Sequence, residues 1–192
     1  MSLMSKTTNP FKLFRPARPS GRNRNESGFK RDENGVTAVE FGLLALPFFA
    51  IIGAILETSL IFLASQILDS AVNDSSRLIR TGQAQSANFT STEYKAAICD
   101  GLYGMFDCNG LKIRVSEIAN FGSATLANVV DPNDGSWTIV ENYDDGAGAS
   151  IILVEAYYKW PVTLDILNFN LSNLADGTRM LSAVRVFRNE PF

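Results

Sequence analysis

Apolar positions follow three different patterns along the chain. From Val36 to Leu56 they are almost continuous, with Glu40 the one charge in 21 residues. At about 1.5 Å per residue such a run makes roughly 32 Å of helix, which matches a hydrocarbon core of about 30 Å. Pro47 lies mid-run, where a kink or a loosened turn is expected. Beyond Leu56 the spacing becomes three and four residues, through Leu60, Ile61, Ala64, Ile67, Leu68, Ala71 and Val72. One long helix is therefore predicted from about Val36 to Arg80. Its first half suits lipid and its second half needs a partner surface. Gly82 is the candidate C′ residue.

The third pattern has period two. "LKIRVS" sets Leu111, Ile113 and Val115 against Lys112, Arg114 and Ser116. "ATLANVV", "WTIVEN", "ASIILVEAYYKW" and "LSAVRVFR" are further strand candidates, and "DPNDGS" and "YDDGAG" carry turn chemistry. Ahead of them, "QAQSANF" reads as a loop and "STEYKAAICDGLYGM" as a short helix capped by Ser91 or Thr92. The fold class predicted is α+β: a long N-terminal transmembrane helix running into an exported domain with an antiparallel sheet, one face covered by the helix stripe.

Charge divides the chain the same way. Residues 1–35 hold eight of the 17 basic and three of the 20 acidic residues, a net +5, leaving nine against seventeen, a net −8. A basic arm, an apolar run and an acidic remainder match a protein that crosses a membrane once, with the arm cytoplasmic. A DNA-binding arm is the rival reading, disfavoured because the apolar span follows directly, and no nucleic-acid partner is expected. The expected organisation is a basic leader over 1–35, disordered by composition, a transmembrane helix over 36–56, an exported helix extension over 57–82 and an exported α+β domain over 83–192.

Candidate chemistry is sparse. There is no histidine, which excludes Ser-His-Asp and Cys-His sites and removes the commonest metal ligand. The two cysteines, Cys99 and Cys108, both fall in the part read as exported, where an oxidising compartment favours a disulfide. Asp131, Asp134, Asp144 and Asp145 lie near Gly135 and Gly146, yet neither loop has the spacing of a calcium-binding EF-hand, and hairpin turns favour the same residues. Asn73, Asn88 and Asn170 fit the glycosylation sequon but read as solvated polar residues. Tyr157, Tyr158 and Trp160 could stack on a ligand or finish a core edge. No catalytic residue, cofactor or metal is expected.

Glu40 carries more. A carboxylate within a bilayer needs a partner. If the chain were cut after Gly35, Val36 would become a free α-amine and Glu40 would lie one helical turn along on the same side. The acid of one subunit could then pair with the new N-terminus of another. "GVTAVEFGLLALPFF", "DSSRLIRTGQAQ", the pair in "ICDGLYGMFDC" and the ending "VRVFRNEPF" together resemble the TadE/TadG-like proteins of the tight-adherence (Flp, type IVc) pilus machinery. Val39-Glu40-Phe41 with Pro47 downstream is the most specific part of the likeness.

The resemblance implies a pilin-like fold, cleavage between Gly35 and Val36 by a prepilin peptidase, and an assembly role for Glu40 and Phe41. It also implies other pilin or pseudopilin subunits and assembly proteins as partners, with the inner membrane as location. Gly42 departs from the pattern, since a stronger helix former is expected there. The function expected is that of a minor pseudopilin or pilus-assembly protein. The alternative is an uncleaved, membrane-anchored binding or adhesion module.

Overall fold

The computed structural model describes residues 35–126, 128–163 and 171–192. The arm before Gly35 and the sequon at Asn170 lie outside the described residues. Residues up to Leu43 form one unit and residues 44–192 a second, which holds the sheet and core.

Helix α1 (Val36–Arg80) is continuous, with Gly42 and Pro47 inside it. It ends where the sequence marks the stop: Gly82 has φ 77°, and Thr81 and Gly82 donate backbone hydrogen bonds to the carbonyls of Arg77 and Ile79. A Cβ at Gly82 would lie 2.7 Å from the Phe192 ring, so both conformation and space require glycine. The stretch expected as a loop restarts at once as a single helical turn, α2 (Gln83–Ser86), because Ala84 is drawn into the core. The cap of helix α3 (Ser91–Asp100) lies one residue before the earlier of the two expected caps, Ser91 and Thr92. Thr90 is the N-cap, in a capping box where Thr90 Oγ1 accepts from Glu93 N–H and Thr90 N–H donates to Glu93 Oε2 at 2.7 Å. At its end a Cβ on Gly101 would meet Ala71 Cβ at 2.9 Å, a measure of how closely α3 seats on α1.

Among the described residues the sheet has four strands in the order β2-β1-β3-β4, with β1 at Lys112–Ile118, β2 at Asn142–Tyr143, β3 at Ile151–Pro161 and β4 at Thr178–Arg188. The three long strands are antiparallel as expected, but β2 is a two-residue parallel addition to β1, so the sheet is mixed. The expected strands in "ATLANVV" and "WTIVEN" do not form among the described residues beyond a bridge between Val130 and Trp137 and the start of β2. Glu141 Oε1, a side-chain atom, accepts from Ile113 N–H in place of a neighbouring strand.

Ile113, Val115, Ile152, Val154, Ala156, Leu181 and Ala183 share one sheet face and form a single core with Leu68, Val72 and Ile79 of α1 and Tyr94 and Ile98 of α3. Burying such side chains at about 25 cal/mol per Å² is the main stabilising effect. The other face is covered as well: Leu153, Glu155 and Tyr157 are also buried. Over this face Lys159 Nζ donates to the Gly135 carbonyl and lies 4.9 Å from the centre of the Trp137 ring. A near-continuous apolar strand such as β3 is what burial on both faces demands.

Asp176 closes this region. It accepts from Lys159 Nζ at 2.8 Å, Thr178 Oγ1 at 2.5 Å and Thr178 N–H at 3.1 Å. The hydrogen bonds from Lys159 and then Thr178 lower its pKa to about 2 from 3.8. A carboxyl whose folded pKa is depressed stabilises the fold above its unfolded value and loses that contribution as pH falls through the folded one. Acidification from about pH 4 to 2 is therefore expected to open the turn before β4, read as lost amide protection at Thr178 and Met180. In Asp176→Asn that acid step should be absent. An acid step of the same size in the variant would assign it to another group.

Candidate assembly segment of the long helix

Phe41, Leu43 and Leu46 of α1 are 69%, 70% and 75% exposed. Of the most apolar 18-residue window in the helix, only 6% is buried. The buried core helix of a soluble domain would be covered on these positions, so α1 fits a membrane-spanning segment of a single-pass protein. Its first turn carries no acid. Gly35 accepts the first helical hydrogen bond, from Val39 N–H at 3.2 Å. Glu40 is exposed one turn on from Val36, and among the described residues no side chain or backbone group pairs with it. Phe41, beside it, is equally open.

A buried stripe runs through Ala50, Glu57, Ile61, Ala64 and Leu68, at the spacing of one helix face. Meanwhile Ile55, Leu56, Leu60, Phe62 and Leu63 stay exposed. From Ala50 to Leu63 the helix thus has a covered face and an open apolar face side by side. Glu57, at the end of the expected span, is only 5% exposed. Its Oε1 accepts from Thr163 N–H at 2.6 Å and from Thr163 Oγ1 at 3.0 Å. That contact, over 106 residues of separation, ties the chain after β3 to the helix. The sequence places Glu57 at the interface but offers no signal for its partner.

Cys99 and Cys108 form a disulfide. It closes the turn that carries Tyr103, exposed and at φ 51°, and links α3 to the helical turn before β1. By chain entropy a loop of this length is worth roughly 2–3 kcal/mol. Replacing both cysteines with serine is expected to lower unfolding free energy by that amount. Alkylation without prior reduction should add no mass to the native chain.

The aspartates act as turn caps. Asp131 accepts from Asn133 N–H, Asp134 from Ser136 N–H and Asp144 from Gly146 N–H, all within two residues. The Ser136 N–H hydrogen bond holds the Asp134 carboxyl below the usual range. Asp145 accepts from the Tyr143 hydroxyl. Among the described residues no group of three potential metal ligands converges. Tyr158 and Trp160 both meet Phe106 edge-on, at 4.9 and 5.3 Å. They finish the core edge, while Tyr157 faces the opposite side of the sheet.

A second buried carboxylate escaped the sequence reading. Glu155, fully buried in β3, accepts from Arg114 Nε at 2.5 Å and from the Tyr157 hydroxyl at 2.8 Å. The available signal was an acid inside the apolar run "ILVEAYY", which requires a partner.

No curated protein and no solved structure matches the chain. Residues 35–77 match the family model described as TadE-like protein, so the long helix, from the glycine before Val36 through Glu40, Pro47 and on to Arg77, is TadE-like.

Proposed function

We propose that this chain is a minor pseudopilin or assembly protein of a tight-adherence pilus, held in the inner membrane by α1 with the sheet domain exported. The observation that carries the reading is Glu40, an exposed carboxylate with no partner among the described residues, at the fifth position after Gly35 and within the TadE-like stretch of an exposed apolar helix. In this reading a prepilin peptidase cuts between Gly35 and Val36. The new α-amine of one subunit meets Glu40 of the next, and Phe41 and its apolar neighbours supply the lateral helix contacts. The role is structural and not catalytic. Pilin-like subunits and the assembly machinery are its partners.

Two features support the orientation. The net +5 over residues 1–35 favours a cytoplasmic arm, and the Cys99–Cys108 disulfide suits an oxidising compartment. The test is the mature N-terminus of membrane-extracted protein together with a phosphatase fusion after Phe192. Val36 as first residue and an active fusion are expected. A mature chain that keeps Arg18 or Arg22 would leave an uncleaved anchor instead, and an inactive, stably inserted fusion would overturn the export of the domain.

A further inference from the structure

Among the described residues strand β4 is an edge of the sheet, and it is 11 residues long. Its even-numbered residues turn their backbone groups away from β3. Met180 N–H donates to Asn173 Oδ1, the Thr178 carbonyl accepts from Asn173 and Leu174 N–H, and the Val184 carbonyl accepts from Arg185 Nη1. The first part of the edge is thus closed by the chain itself. From Ser182 to Val186 it is open. Among the described residues nothing takes the outward N–H groups of Ser182, Val184 and Val186 or the carbonyls of Ser182 and Val186. Natural proteins usually cover such an edge or use it.

Beside this open stretch lies a groove of about 390 Å³ between β4 and the last turns of α1, lined by Arg77, Arg80, Arg185 and Asp74 among others. Three of the nine basic residues after residue 35 meet here, together with Asp69, Asp74 and Glu190. Arg185 is engaged with Asp69 at 2.6 Å, and Arg80 lies 3.7 Å from Glu190. The Arg77 side chain has no partner among the described residues.

We propose that this groove takes an extended, acidic segment of a partner protein, which adds as a fifth strand along Ser182–Val186 and places its carboxylates on Arg77 and, in exchange for the exposed Glu190, on Arg80. An open ladder gives main-chain recognition, and the Arg77 guanidinium, with Arg80 beside it, selects the charge of the incoming strand. A second copy of β4 fits less well, since it would bring Arg179, Arg185 and Arg188 against the same arginines.

The test uses the full chain in detergent micelles and three synthetic peptides of alternating Val/Thr and charged positions, one acidic, one neutral and one basic. The acidic peptide is expected to bind at least tenfold more tightly than the other two, and to slow amide exchange at Ser182, Val184 and Val186 but not at Met180. Arg77→Glu should weaken it about tenfold. Val184→Pro, which removes only an outward N–H and no bond to β3, should do the same. Equal binding of the three peptides, or no protection of these amides, overturns the proposal. So does a concentration-dependent dimer of the chain alone that Val184→Pro abolishes, since the edge would then serve a second copy.

Discussion

Glu40→Ala is expected to leave membrane insertion intact and to reduce pilus yield at least tenfold. Removing a carboxylate makes the span more apolar, so insertion does not suffer. In the proposed pairing, what is lost is the counter-charge for an α-amine, a group that titrates near pH 8 in water and stays charged in lipid only if paired. Glu40 is exposed and has no partner among the described residues, so its loss should not unfold the sheet domain, and amide protection in β3 should match the parent. Glu40→Gln separates charge from size and should be nearly as defective. The variant's mature N-terminus must also be measured, because a block in cleavage would lower yield for another reason. A correctly cleaved Glu40→Ala protein that supports normal sheared-pilus yield would remove the pairing role while leaving the TadE-like likeness of the segment untouched.

The long helix was legible because its signals are local. An uninterrupted apolar run, a three-four spacing after it and Gly82 at the stop all act within a few residues, and α1 has the predicted ends. Strands β1, β3 and β4 were legible by the same logic. What failed depended on distant partners. "ATLANVV" and "WTIVEN" have strand composition, but a strand needs an edge to pair with, and the Glu141 side chain occupies that place on β1. "QAQSANF" has loop composition, but burial of Ala84 rewards one more helical turn. The cap at Thr90 was missed although Thr90-x-x-Glu93 is in plain view, because Ser91 and Thr92 compete for the same role in sequence and only geometry decides. Glu57 and Glu155 show the limit most clearly. Each announces that a partner exists, since a carboxylate in apolar surroundings is costly. Thr163, 106 residues from Glu57, and Arg114, 41 residues from Glu155, are chosen by topology alone.

Arg114→Ala is expected to be the most destabilising single change in the sheet, at about 3–5 kcal/mol. Glu155 is fully buried, whereas the Arg114 side chain is 25% exposed, so the two ends of the pair are not equivalent. Removing the arginine strands a carboxylate in the interior with, among the described residues, the Tyr157 hydroxyl alone to solvate it. Burial, and then its hydrogen bond to Glu155, keep Tyr157 protonated far above the ordinary tyrosine range, so it remains a donor but brings no charge. Glu155→Gln removes the charge from the buried end and leaves Arg114 able to reach water, so it should cost less, about 1–2 kcal/mol. The double replacement Arg114→Met with Glu155→Leu should recover most of the loss, since apolar groups of similar volume often substitute for a buried ion pair at little cost. Against a typical domain stability of 5–15 kcal/mol, the single change at Arg114 should be visible as a large drop in the urea midpoint of the full chain in micelles. The ordering is the decisive feature: if Glu155→Gln proves more damaging than Arg114→Ala, the buried carboxylate is not what makes this pair costly to break.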